Sequence, residues 1–92
     1  MVPDTPWQAL IQNWPKDLPQ RGVLVTVLNE QIPFRGFMFT DELILFERTN
    51  PDPMGARMIL LPYTQIASIR IIDVIREQVF AGLGYVGKLS GK

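Results

Sequence analysis

Asp41 and Glu42 are the chain's one adjacent pair of carboxylates. Neighbouring carboxylates can divide acid and base roles when their surroundings push their pKa values apart. These two lie between Thr40 and Leu43 in a stretch that reads as a turn, where aspartate is favoured because its side chain bonds to nearby backbone. The sequence contains no histidine and no cysteine. The commonest general base and metal ligand is therefore missing, and so are thiol nucleophiles, disulfides and zinc–thiolate sites. Ser68 and Ser90 are the only serines, and neither has a base to activate it. These residues point away from an enzyme, and no catalytic residue, metal or cofactor is expected.

One segment spells a nucleotide fingerprint, Gly82-Leu83-Gly84-Tyr85-Val86-Gly87. That chemistry needs the glycines between a strand and a helix, so that the helix N-terminus meets the pyrophosphate. It also needs an acidic residue about 20 positions further on. Five residues follow Gly87 in this sequence, so the match reads as coincidence. Among the basic residues, arginine outnumbers lysine six to three. Guanidinium groups stack on bases and grip phosphates with two bonds. Arg48 and Arg57 flank a Pro-rich loop and are expected to be neighbours across a hairpin. They would serve RNA there or, the more ordinary arrangement, face solvent paired with Glu47 or Asp52.

The elements that would position these groups are well marked. Thr5-Pro6-Trp7-Gln8 fits a capping box with Pro6 at the first helical position. Trp7, Leu10, Ile11 and Trp14 then fall on one helical face. The pattern predicts an N-terminal helix over 4–14, ended by Pro15 and too short to stand alone. Its Trp-rich face is expected to dock as a lid. From Gly22 to Leu28 the residues are apolar on both faces, as in a strand covered on both sides. Further strands are predicted at Phe34 to Phe39, Leu43 to Arg48, Arg57 to Leu61 and Ile66 to Ile72. Gly36, inside the second of these, predicts a bend or a close backbone approach. Asp73 caps a short helix, or the fifth strand continues through Val74. The Gly-rich end suggests a tail that is flexible or ordered by a partner.

At 92 residues the chain fits one domain, read as helix 4–14, barrel 22–72 and C-terminal extension 73–92. A chain this short buries a modest share of its surface, yet 47% of its residues are hydrophobic. The excess hints at self-association. Nine basic residues balance nine acidic ones, which argues against binding nucleic acid through a general basic surface. Neither a signal peptide nor an apolar run of about 20 residues is evident, so a soluble cytoplasmic protein is expected.

A helix and five strands in this order resemble the Sm-like (LSm/Hfq-type) small β-barrel family. The stretch from Thr5 to Ile72 carries the resemblance. Val23-Leu24-Val25-Thr26-Val27-Leu28-Asn29 is followed by Phe34-Arg35-Gly36-Phe37 and then by Phe39-Thr40-Asp41-Glu42-Leu43-Ile44-Leu45. Gly36 and Asp41 match the family's glycine within the second strand and the Asp opening the third. Ile59 to Ile69 resembles the second family motif. The resemblance implies a mostly β fold, a five-stranded bent antiparallel barrel of the Sm-like/SH3-like kind. It further implies a homo-oligomeric ring of roughly five to seven copies, joined edge to edge, that binds RNA without catalysis. By position, RNA would meet Thr40, Asp41, Tyr63 and Thr64, with Tyr63 stacking on a base. The interface would draw on Met58, Ile59, Leu60, Leu61, Ile66, Ile69 and Ile71. Leu45 stands where the family has an RNA-contacting Asn, and Pro62-Tyr63 where it has Arg-Gly. The alternative is therefore an assembly scaffold with no nucleic-acid ligand.

Overall fold

Thr5 starts helix α1, Pro6–Gln12, in the computed structural model, which describes residues 5–89. The Thr5 hydroxyl accepts a hydrogen bond from the Gln8 N–H at 3.0 Å. Pro6 sits in the first turn, where no N–H is needed. The helix closes at Asn13, whose N–H reaches back to the Ala9 and Leu10 carbonyls, earlier than the expected residue 14. Trp14 lies outside it and donates its indole N–H to the Leu18 carbonyl at 2.7 Å. Ile11 is fully buried, and Trp7 and Trp14 pack against the core, so the apolar face of α1 does dock on the sheet.

The strands are β1 Gly22–Thr26, β2 Gln31–Phe39, β3 Leu43–Arg48, β4 Met58–Pro62 and β5 Ile66–Arg70. A 3-10 turn, Tyr63–Gln65, joins the last two, and a short helix, α2 Glu77–Ala81, follows. All pairings are antiparallel, in the order β4-β3-β2-β1-β5. The protein is thus mostly β, as its alternation predicts, but the sheet is not closed. β4 and β5 are its two edges and do not pair. Only the three residues of the 3-10 turn connect them. Extended, the chain from Pro62 to Ile66 spans at most about 14 Å, less than the ~19 Å across four strand spacings of a flat sheet. The sheet must therefore curl strongly. Register shifts at Val25/Thr26 and at Phe34/Gly36 supply bends, because a bulge adds a residue to one strand and turns it. The register shift in β2 falls between Phe34 and Gly36, beside the glycine for which a bend or a close approach is expected.

The core lies inside this curl. Phe34, Phe46, Ile11, Leu24 and Ile44 are fully buried. Phe34 and Phe46 rings meet at 4.7 Å, and Trp14 stands edge-on to Phe37 at 5.1 Å, both favourable aromatic geometries. Leu24, Val25 and Thr26 are buried in succession, so β1 is covered on both faces. The fifth strand stops at Arg70 rather than Ile72. Just beyond it the Arg21 guanidinium donates to both carboxylate oxygens of Asp73, Nε at 2.9 Å, and ties this part of the chain to the entry of β1. A short helix does form in the segment after it, but Arg76, not Asp73, occupies its N-cap.

Candidate functional site at the Thr40 turn and the sheet edges

Three elements converge on Thr40, the residue that follows β2. Its hydroxyl accepts from the N–H groups of Glu42 and Leu43, at 3.1 and 3.0 Å. Its own N–H donates to the Leu43 carbonyl at 2.8 Å, which makes the tight turn that Thr40-Asp41-Glu42 predicts. The Thr40 carbonyl accepts from the Tyr63 hydroxyl at 2.7 Å. Gln12 of α1 donates its side-chain amide to Asp41 Oδ1 at 3.3 Å, and contacts the Thr40 carbonyl at 3.5 Å. Thr40, Asp41 and Tyr63 are thus brought together as the sequence reading placed them. Their chemistry is different. Tyr63 is 3% exposed and belongs to the core cluster, so it offers no face to a base, and the stacking role is corrected. Burial pushes its hydroxyl pKa above the ordinary tyrosine value, with the nearby Asp41 charge adding to the rise and Gln12 opposing it. The site is a polar staple that ties helix, turn and 3-10 turn. Thr64, on the same 3-10 turn, is exposed.

The two sheet edges are open. The Arg48 N–H donates to the Arg57 carbonyl at 2.8 Å, one step beyond the paired residues Glu47 and Met58. Antiparallel ladders alternate between pairs that exchange hydrogen bonds and pairs that do not. Phe46–Ile59 and Ile44–Leu61 are then the bonded pairs, and the N–H and C=O groups of Met58 and Leu60 point away from β3. These are unpaired groups on an edge strand, the feature that templates strand addition. Met58 is 57% exposed and Leu60 63%, while Leu61 is buried and Ile59 half-buried. The seven residues expected at an interface therefore divide. Met58, Leu60 and Ile71 lie open, Ile59 and Ile69 are half-buried, and Leu61 and Ile66 are core. Leu61 and Ile66 hold the edges in place from inside rather than presenting a surface.

Sequence reasoning missed the outer face of β2–β3–β4. Met38 pairs with Leu45, and Leu45 with Leu60, so the three form one row across the strands. Leu43 and Met58 flank it on the same face, by the two-residue period of a strand. Met38 is 71% exposed. The signal was present in the sequence, since Phe37-Met38-Phe39 and Leu43-Ile44-Leu45 are apolar on both faces.

The charged residues are mostly occupied with local structure. Arg48 and Arg57 are indeed backbone neighbours, but Arg48 donates its Nε to the Asn50 carbonyl at 3.0 Å. Asp52 accepts from the N–H groups of Met54 and Ala56, and Glu47 pairs with Arg35 at 3.2 Å. The expected pairing of these arginines with Glu47 or Asp52 is not made. The glycine fingerprint follows helix α2 instead of preceding a helix, and Phe80 and Tyr85 close it into a local fold with rings 5.6 Å apart. Ser90 lies outside the described residues. Among the described residues no group of three His, Cys, Asp or Glu side chains could hold a metal ion, and no helix is long and apolar enough to cross a membrane. No family model, curated protein or solved structure matches the chain.

Proposed function

We propose that this chain is a protomer of a homo-oligomeric Sm-like ring, and that its role is assembly rather than catalysis or RNA recognition. The observation that carries the reading is the pair of open edges on one strongly curled sheet. β4 leaves backbone groups of Met58 and Leu60 unpaired, and β5 forms the opposite edge. Joining β4 of one copy to β5 of the next satisfies both edges, and such a head-to-tail contact closes into a ring when its rotation allows. The exposed side chains of Met58 and Leu60 add apolar area to that contact. The scaffold reading is favoured over RNA binding by Tyr63, whose ring is in the core, and by the balance of nine basic and nine acidic residues.

Leu60→Pro tests it. Proline removes an N–H that the β3–β4 ladder does not use and leaves the free edge unable to donate. Light scattering after gel filtration should give an oligomer for the parent and a monomer for Leu60→Pro, with the far-ultraviolet circular dichroism unchanged. A parent that is monomeric at micromolar concentration refutes the proposal. Fluorescence anisotropy with U-rich and A-rich RNA at two salt concentrations reads the other arm. Saturable binding that weakens with salt would return RNA to the function.

A further inference from the structure

Two apolar surfaces of this chain are uncovered, one rimmed by acidic turn residues, the other carrying two cations and the single carboxylate of Glu77. The first is the outer face of β2–β3–β4, with Met38, Leu43 and Leu60 exposed. The turn residues Asp41 and Glu42 rim it at the end where Leu43 faces Pro62. The second is the segment 74–89 that follows β5. Val86 is 98% exposed, and Tyr85 and Leu89 are exposed too. Its two cations, Arg76 and Lys88, have no ion pair among the described residues, and neither do Asp41 and Glu42.

We propose that segment 74–89 of one copy docks on the outer face of β2–β3–β4 of a second copy, with Lys88 set against Asp41 and Glu42. The inference rests on the edge-to-edge assembly above. Within one chain the segment departs from β5, the edge strand that does not pair with β4, and the Arg21–Asp73 pair holds its start beside the entry to β1. Once β5 of one copy lies along β4 of the next, the same segment emerges beside its neighbour's outer face. Crossing from β4 to β2 takes two strand spacings of about 4.8 Å, a distance that α2 at about 1.5 Å per residue and the residues after it cover without being extended. Apolar residues would cover Leu60 and Met38 on the way.

The absence of cysteine lets one engineered pair be read without background. Full-length Met38→Cys and Val86→Cys chains are mixed and mildly oxidised, and Asn50→Cys mixed with Val86→Cys serves as the control. Docking raises the effective concentration of the two thiols, so disulfide-linked dimer should exceed the control by about tenfold. Glu42→Lys in the Met38→Cys chain should lower that yield, and Lys88→Glu in its partner should restore it. An oligomer by light scattering with a yield no higher than the control overturns the dock and leaves the assembly standing. A monomer overturns both. A disulfide formed within single, dilute chains that carry both cysteines overturns the second copy as the occupant.

Discussion

Alanine placed at Gly22 and at Gly36 should move stability in opposite directions, because the two strand glycines meet different surroundings. A Cβ on Gly22 would lie 2.3 Å from the Arg70 carbonyl oxygen, where an ordinary carbon–oxygen contact is about 3.3 Å or more. The shortfall of about 1 Å falls on backbone, not on a flexible side chain. β1 and β5 must therefore part beside the Val23–Arg70 pair. Forcing atoms into a packed site costs about 1–3 kcal/mol. Against this, replacing glycine narrows the unfolded ensemble and stabilises by about 0.4–1 kcal/mol where the native backbone suits alanine. The net is a loss of about 1–2 kcal/mol. At Gly36 the nearest atom is Glu47 Oε1 at 3.6 Å, an ordinary contact, and its φ is not in the left-handed region. Only the favourable contribution remains there.

In a domain of this size each 1 kcal/mol shifts Tm by about 4–8 °C. Thermal unfolding followed by circular dichroism should put Gly22→Ala about 5–15 °C below the parent, with Gly36→Ala equal to it or a few degrees above. Urea midpoints should rank the three proteins in the same order. A Gly22→Ala protein as stable as the parent would refute the claim that the β1–β5 approach is tight at this point. A large loss at Gly36→Ala would mean that the bend in β2 depends on glycine itself and not on the bulge.

Two further perturbations probe the polar ties. Tyr63→Phe deletes the hydroxyl that reaches the Thr40 carbonyl and should cost about 1 kcal/mol in urea unfolding. Because the folded pKa of Tyr63 is raised, the parent's contribution from this group is complete below the ordinary tyrosine value. It is lost as pH rises through the folded pKa, and the alkaline decline should flatten in Tyr63→Phe. Asp73→Asn breaks the surface pair with Arg21, whose hydrogen bond, followed by its charge, holds the Asp73 carboxyl below its usual range. The sign is reversed here: the pair stabilises above the ordinary aspartate pKa and is lost as pH falls through the lowered one. Melting curves of parent and Asp73→Asn should therefore differ slightly at pH 7 and converge in acid, and equal curves at pH 7 would show that the pair contributes nothing.

Elements were legible wherever local chemistry alone decides them. Thr5 and Pro6 announced α1, and Asp41-Glu42 between apolar runs announced the β2–β3 turn. The even apolar content of Val23 to Thr26 announced a strand covered on both faces. The misses are cases where distant residues decide. β5 stops at Arg70, and the next tie to β1 is a side-chain pair between Asp73 and Arg21, far away in sequence. The close approach of Gly22 to the Arg70 carbonyl is not legible either, since a neighbour across a strand pair cannot be read from a glycine's own flanks. Closure of the barrel was expected from the strand count, yet strand pairing depends on whether two edges reach hydrogen-bonding distance, which no residue pattern encodes.

Tyr63 shows why position alone is a weak guide to function. An aromatic in the β4–β5 connection is placed where it could stack on a base. The same residue type there can turn inward, and here burial of the ring together with the 2.7 Å bond to Thr40 selects that direction. A tyrosine ring with its hydroxyl satisfied loses little by leaving water and gains its full apolar area. The residues with exposed apolar area are Met38, Met58 and Leu60, and they line the edge strand and the face beside it. If the sheet were a finished surface, its open edge would be expected to carry charge or proline along its length. On β4 only Pro62 fits that description, at the last position. An edge that is apolar, unpaired and bordered by an uncovered face is the feature on which the proposed assembly rests.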